Sequence, residues 1–170
     1  MMRQQQSGKI VNVTSVGGKF GEPMGGWYHA TKFAVEGLSD SMRMELARFG
    51  IDIIVVEPGA IRTEWGSIAI ERALRYSGST AYVELAREKA AFFSNADSGL
   101  GSAPSVVAEG ILKVLRARRP KTRYAIGGGA PVLLALVRLL PDRTLDRLMN
   151  FTARHALRQQ LQREQRQLRA

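Results

Sequence analysis

The fold is decided by residues 51–59, which read IDIIVVEPG. Five of the first six side chains are β-branched and apolar, and the run ends in the breaker pair Pro58-Gly59. Such a run is typical of a strand that is covered on both faces, as strands of a parallel sheet are. A second run of this kind, residues 8–15 (GKIVNVTS), ends in two hydroxyl side chains. Together the two runs predict a doubly wound α/β fold with a parallel sheet.

The ends of these strands carry the residues of chemical interest. Ligands of open α/β folds bind beyond the carboxyl ends of the strands, so topology predicts that Ser15 and Pro58-Gly59 lie on one rim. Between the strands, residues 28–32 read YHATK. Helix positions four apart share a face, so we expect the Tyr28 phenol and the Lys32 ammonium to point into one cleft. A cation favours the phenolate, so we expect Lys32 to lower the pKa of Tyr28 toward the working pH.

These motifs resemble those of the short-chain dehydrogenase/reductase family, strongly over about residues 8–65 and loosely beyond them. The matching pieces read IVNVTS (10–15), YHATK (28–32) and PGAIRT (58–63). The resemblance implies that Ser15 orients the substrate carbonyl or hydroxyl and that Tyr28 is the general acid/base. It implies that Lys32 lowers the tyrosine pKa and binds the nicotinamide ribose. The cofactor, NAD or NADP, would be contacted by Tyr28, Lys32, Pro58, Gly59, Ile61 and Thr63.

The sequence also departs from the family pattern. The glycine-rich turn that brings N–H groups and a helix N-terminus to the pyrophosphate is absent from these 170 residues. The family's Asn-Asn-Ala-Gly strand end and its active-site asparagine on an upstream helix have no counterpart either. The resemblance therefore implies the carboxyl-terminal portion of such an enzyme, with the second half of the sheet only. The choice between NAD and NADP depends on residues outside this sequence.

We predict a partial catalytic domain over residues 1–129 and a basic helical extension over residues 130–170. A helix is predicted from Trp27 to Arg48 or Phe49, closed by Gly50. We expect its apolar stripe to pack in the core. That stripe consists of Ala34, Leu38, Met42 and Leu46.

The second half of the chain is predicted to hold a lid and further helices. Residues 66–101 are helical in patches and are expected to form a lid that excludes water from the site. Their aromatic side chains indicate an apolar substrate, or equally a closed core. A helix is predicted over residues 103–118 with Ser102 or Ser105 as its cap, followed by a short strand over residues 123–127.

Composition limits the function further. The chain has no cysteine, which excludes a disulfide framework, and the two histidines lack partners at ligand spacing, so no metal site is predicted. His29 should be structural, since it points about 100° away from Tyr28. The first residues lack the apolar core of a signal peptide, so the cytoplasm is the expected compartment.

Positive charge is concentrated at the end of the chain. The net charge is +10, and residues 138–170 hold eight arginines against three acidic residues. A solvated helix face is the simplest interpretation, and an anionic membrane surface is the alternative. Binding to nucleic acid is not expected, because no recognition motif accompanies the charge.

Two functions from different classes follow. The first is an oxidoreductase that interconverts a small, apolar secondary alcohol and a carbonyl with NAD(P)(H), and that forms a homo-oligomer when full length. We expect this chain alone to bind cofactor poorly and to be poorly active or inactive. The second is a non-catalytic remnant that binds a partner or a membrane surface through its basic C-terminal helix, with residues 10–13 as an exposed sheet edge. Saturable dinucleotide binding would argue against the remnant.

Overall fold

The computed structural model of the protein describes residues 1–99 and 101–169. Within them, a parallel sheet holds three strands in the order β1-β2-β3. The strands are β1 (Gly8–Val13), β2 (Ile51–Pro58) and β3 (Arg123–Ile126). This Rossmann-like arrangement confirms the predicted α/β fold, in which the chain holds only the second half of the parallel sheet.

Helices fill the connections between the strands. The 21-residue helix α2 joins β1 to β2, and a single 3₁₀ turn extends it to Gly50, whose left-handed φ of 64° ends it as predicted. Helix α2 packs against β2, whereas α5 and α6 pack against β3. The described helices are α1 (Met2–Gln5), α2 (Gly26–Leu46), α3 (Trp65–Ser77), α4 (Val83–Gly99), α5 (Pro104–Arg116), α6 (Ala130–Leu139) and α7 (Asp142–Arg169).

The central strand β2 is the buried one. Every side chain from Ile53 to Val56 is at most 3% exposed, which is the burial that its β-branched run predicts. Among the described strands, β1 pairs with β2 alone, and its last residue, Val13, is 48% exposed. The apolar edge that motivates the second function is therefore present in the described part of the chain.

The predicted core stripe of α2 is wrong. Ala34 is exposed and Leu38 is 57% exposed, whereas Met42 and Leu46 are only half-buried. The buried face of this helix carries His29, Glu36 and Ser39 instead. The reason is that polar side chains of β1 and of the residue directly after it lie beneath the helix: the Asn12 amide donates to Ser39 Oγ at 2.9 Å, and Thr14 Oγ1 donates to Glu36 Oε1 at 2.7 Å.

The end of the chain packs back on the rest of the protein. Leu133, Leu134 and Val137 of α6 contact a small core that includes Val16 and Phe20. Helix α7 packs against α4. The predicted boundary at residue 129 falls in the turn before α6 and stays a prediction. In the described residues, no helix is both long enough and apolar enough to cross a bilayer.

One capping prediction is wrong. Neither Ser102 nor Ser105 caps α5, whose N-cap is Ala103 without a side-chain hydrogen bond. Ser102 Oγ instead accepts from the Gly128 N–H at 2.9 Å. Its backbone also pairs with residues 60–62, through Ser102 N–H to Ala60 O and Arg62 N–H to Ser102 O. Ser102 thus links the loop that follows β2 to the loop that follows β3, at the carboxyl end of the sheet.

Candidate active site

Ser15 lies at the carboxyl end of β1, where the chain turns into a 3₁₀ turn (Val16–Gly18). Its Oγ accepts from the Gly17 N–H at 3.0 Å and donates weakly to the Pro58 carbonyl at 3.4 Å. The side chain is buried at 9% exposure. The ends of β1 and β2 therefore meet at Ser15, which is the rim that the parallel topology predicts.

Tyr28 and Lys32 lie one helical turn apart near the start of α2. The Lys32 Nζ is 5.8 Å from the centroid of the Tyr28 ring. Both side chains are exposed only in part. The Tyr28 ring packs against Gly17, where a Cβ would lie 3.0 Å from Tyr28 Cε1, and the N–H of the same glycine donates to Ser15 Oγ. The three residues that sequence analysis singles out are thus brought together at one end of the sheet.

The pKa of Tyr28 lies above its usual value, opposite to the expected direction. Burial is the main cause, because it disfavours the phenolate, and the negative charge of Glu22 adds to it. The nearby Ser15 hydroxyl acts to lower the pKa of Tyr28 and does not overcome this rise. Lys32, whose Nζ lies 5.8 Å from the centroid of the ring, is not among the causes of this shift. The phenol therefore keeps its proton at neutral pH.

The segment after β2 is held by close backbone contacts. The Gly59 N–H donates to Ile126 O at 3.0 Å, and a Cβ at Gly59 would lie 2.6 Å from Gly127 O. Ile61 forms a parallel bridge with Ser102. Thr63 is exposed, and its Oγ1 accepts from the Trp65 N–H at 3.3 Å. Of this segment, Pro58 contacts Ser15; no contact of Ile61 or Thr63 with Tyr28 is present among the described hydrogen bonds and ring contacts.

Aromatic rings from α3 and α4 line the side of Tyr28. The Trp65 ring centroid is 5.0 Å from that of Tyr28, and the Phe93 centroid is 5.4 Å from that of Trp65. We call Trp65 and Phe93 the aromatic wall. Phe93 belongs to the interval that is predicted to form a lid, residues 66–101, and Trp65 lies directly before that interval. The aromatic wall therefore connects the predicted lid to Tyr28.

A buried group of charges lies directly behind the site, and sequence analysis misses it. This ionic cluster consists of Lys19, Glu36, Glu57 and Arg123. Glu36 Oε2 is 2.6 Å from Lys19 Nζ and 3.1 Å from Arg123 Nε, whereas Glu57 Oε1 is 3.4 and 3.7 Å from the same atoms. Glu57 precedes Pro58, and Glu36 is one turn beyond Lys32. The cluster therefore ties together the elements that carry the site.

The two glutamates of the ionic cluster have opposite pKa shifts. Burial acts to raise the pKa of Glu36, but hydrogen bonds from Lys19, Thr14 and Arg123 outweigh it and lower the pKa. Burial raises the pKa of Glu57, and the negative charge of Glu36 raises it further. In the sequence, the ionic cluster is indicated only by Glu57, a carboxylate at the end of an apolar strand. The sequence pattern does not reveal which cations pair with it.

His29 has a structural contact. It is buried, and its Nδ1 is 2.8 Å from Gly17 O, which ties α2 to the turn after Ser15. Its Nε2 lies 3.7 Å from Glu22 Oε1, and this contact is the main reason that the pKa of His29 is raised. The position agrees with the structural interpretation of this histidine, although its ring also touches that of Tyr28, with centroids 5.5 Å apart.

Known proteins are similar to this chain in sequence. The family model described as "short chain dehydrogenase" matches residues 1–71. An oxidoreductase of Botryotinia fuckeliana is 37% identical over 130 residues, which are 76% of this chain and 46% of that protein. The chain spans about half the length of the curated relatives that it matches.

Two solved structures are similar as well. A short-chain dehydrogenase from Streptomyces avermitilis has a TM-score of 0.59 and 30% identity, over 79% of this chain and 47% of that one. An actinorhodin polyketide ketoreductase with NADPH has a TM-score of 0.57 and 27% identity, over 76% of this chain and 49% of that one.

Proposed function

Since the chain belongs to the short-chain dehydrogenase/reductase family, we propose that it carries the acid/base residues of an oxidoreductase that interconverts a secondary alcohol and a carbonyl. The observation that carries this proposal is that Ser15 and Tyr28 lie on either side of Gly17 at the rim of the sheet: the Gly17 N–H donates to Ser15 Oγ, and the Tyr28 ring packs against Gly17. Lys32 on the next turn of the same helix completes the group. The redox cofactor is NAD or NADP, with no preference assigned.

In the reducing direction, each residue has one task. Ser15 donates a hydrogen bond to the carbonyl oxygen of the substrate and so orients it. Tyr28, which holds its phenolic proton at neutral pH, transfers that proton to this oxygen. Lys32 stabilises the phenolate that results. When bound, a nicotinamide dinucleotide supplies the hydride.

The residues present fit one end of such a cofactor. The cradle at Gly59, where a Cβ would collide with the carbonyl of Gly127, lets the backbone of residues 58–61 run close to the sheet end. Tyr28, Lys32 and the exposed Thr63 would hold the nicotinamide end beside it, with Ile61 and Pro58. The 170 residues contain no glycine-rich turn for the pyrophosphate. Tight binding therefore requires more than these residues.

The aromatic wall supports a small, apolar alcohol or carbonyl as the substrate. Trp65 places its ring beside that of Tyr28, and Phe93 packs on Trp65, so an apolar group bound there would be shielded from water. Exposed apolar residues of α2, including Leu38 and Met44, support the proposal of a homo-oligomer. The absence of cysteine supports the proposal of a cytoplasmic location.

The experiment is a dinucleotide oxidation assay on the native protein, isolated from its own cells. We expect NADPH or NADH to be oxidised only when an apolar ketone or aldehyde is added. The 170-residue chain alone is expected to be poorly active or inactive in this assay and to bind dinucleotide weakly in a separate titration. If the native protein shows no carbonyl-dependent oxidation with aliphatic, aromatic or polyene carbonyls, the oxidoreductase proposal is wrong.

A contact with an anionic membrane surface is the second proposal, and α6 favours it. This helix is apolar on both faces: Leu133, Leu134 and Val137 face the core, whereas Val132 is 67% and Leu139 is 79% exposed. Two exposed arginines, Arg138 and Arg143, flank Leu139 in sequence. Exposed apolar side chains beside cations are the combination that binds an anionic lipid surface.

Co-sedimentation with lipid vesicles tests this contact. We expect the chain to sediment with phosphatidylglycerol vesicles and not with phosphatidylcholine vesicles. Arg138→Gln with Arg143→Gln should weaken binding by roughly tenfold or more, because each cation contributes about 1 kcal/mol near such a surface. Arg72→Gln with Arg75→Gln on α3 is the matched control. Equal sedimentation with both kinds of vesicle, or none with either, contradicts the proposal.

A further inference from the structure

Lys89, which lies in the segment predicted to form a lid, is a buried lysine. Its side chain is 11% exposed, and its ammonium is paired with Glu22 Oε1 in the loop before α2. A lysine is rarely buried unless it is paired. Burial lowers its pKa, and the charge of Glu22 opposes this shift. The pair therefore joins α4 to the loop that leads into the helix of Tyr28.

A polar path leads from this ion pair to Ser15. Glu22 Oε1 also lies 3.7 Å from His29 Nε2. On its other side, the His29 ring meets the Gly17 carbonyl at 2.8 Å, and the Gly17 N–H donates to Ser15 Oγ at 3.0 Å. Each step is a direct contact, so the position of Ser15 is connected to the position of the Lys89 ammonium.

An aromatic path leads from the same ammonium to Tyr28. The Lys89 Nζ is 4.5 Å from the centroid of the Phe93 ring, close enough for a cation–π interaction. Phe93 then packs edge-on against Trp65, which packs against Tyr28. The two paths meet again at Gly17, whose N–H donates to Ser15 Oγ and against which the Tyr28 ring packs, so they close a ring of contacts around Ser15 and Tyr28.

We infer that Lys89 is a positioning residue for this pair, acting through Glu22 on one side and through the aromatic wall on the other. Lys89 touches neither Ser15 nor Tyr28 within the described contacts. Its ammonium keeps α4 against the Tyr28 helix, so that the aromatic wall stays on the phenol. Only the catalytic significance of that geometry rests on the proposed function.

Fluorescence of Trp65 tests the inference without cofactor or substrate. The chain has two tryptophans, and Trp27→Phe leaves Trp65 as the single reporter. Lys89→Met keeps the apolar stem and removes the charge, so α4 should release the aromatic wall. Because Trp65 is 47% exposed, we expect acrylamide quenching of Trp65 to rise, up to about twofold. Lys89→Arg should keep the original quenching.

Glu22→Gln is a second variant for which we expect the same rise in acrylamide quenching of Trp65. It replaces Lys89→Met in the test if that variant does not fold. Adding Lys89→Met to Glu22→Gln should then change the quenching little further, because both act on one ion pair. The matched control is Arg154→Gln, which removes a more exposed ion pair from α7 to Glu88, beside Lys89 on α4, and should change nothing.

Unchanged quenching in Lys89→Met and Glu22→Gln overturns the inference. Additive increases in the double variant overturn it as well, because Lys89 would then not act through Glu22. Neither result bears on the oxidoreductase proposal, which is tested by turnover. Conversely, loss of the proposed activity would leave the fluorescence result as it is.

Discussion

Tyr28→Phe is expected to lower carbonyl reduction by the native protein by about 10²- to 10⁴-fold, the usual contribution of a positioned general acid. The substitution removes the proton donor and keeps the ring. Because the ring contacts with His29 and Trp65 remain, the variant should fold as the wild type does. The measurement is kcat with an apolar carbonyl substrate, together with the thermal unfolding midpoint.

Tyr76→Phe is the matched control for this prediction. Tyr76 is a tyrosine of α3 whose side chain is 73% exposed, so its hydroxyl should not affect the rate. If Tyr28→Phe retains the wild-type kcat, the phenol is not the acid. A fall in rate that is accompanied by an equal loss of folded protein would mean that Tyr28 supports the fold and not the chemistry.

Arg123→Met is expected to destabilise the protein by about 2–3 kcal/mol at neutral pH, less than the full cost of breaking a buried ion pair, because the guanidinium is 24% exposed and Lys19 still pairs with both glutamates. The guanidinium contacts Glu36 and Glu57, and it also binds Asp40 Oδ1 at 2.8 Å. Without it, two buried carboxylates share Lys19 alone. Unfolding by urea measures the change. Arg118→Met, at an exposed position before β3, is the matched control and should change the free energy of unfolding little.

The destabilisation should depend on pH in a defined direction. The lowered pKa of Glu36 gives stability above its unfolded pKa that is lost as the pH falls through its folded pKa. The raised pKa of Glu57 has the opposite effect, since that stability is present at low pH and is lost as the pH rises through its folded pKa.

Removing Arg123 takes a cation from both carboxyl groups and should raise both pKa values. The variant should therefore lose most stability at neutral pH, with a smaller loss at about pH 5, where the carboxyl groups begin to be protonated. A loss that is equal at both pH values, or no loss, would show that the ionic cluster does not hold these elements together.

The strands could be predicted from the sequence because their signal is local. Residues 51–56 are β-branched and apolar, and a central parallel strand is the structure that buries such a run. The end of α2 was equally local, since Gly50 supplies the left-handed residue. The rim formed by Ser15 and Pro58 followed from topology, because parallel strands present their carboxyl ends on one side.

The predictions from the sequence were wrong where the structure depends on which side chains are buried or on pairs of residues that are far apart in the chain. The stripe of α2 that includes Leu38 was assigned to the core because it is apolar, but the sheet beneath the helix offers polar groups, so Glu36 and Ser39 are buried instead. Glu36 and Arg123 are 87 positions apart, and Glu22 and Lys89 are 67 apart. No periodicity connects such pairs. The pKa of Tyr28 was predicted in the wrong direction because its burial cannot be read from a motif.

The central claim is that Ser15 and Tyr28 act as one catalytic unit, and a double-variant kinetic cycle on the native protein tests it most directly. The measurement is kcat/KM for carbonyl reduction by Ser15→Ala, by Tyr28→Phe and by the double variant. Residues that act together have non-additive effects. We predict that each single variant is severely impaired and that the double variant is little worse than Tyr28→Phe. Losses that multiply in the double variant, or a Ser15→Ala variant with the wild-type rate, would contradict the claim.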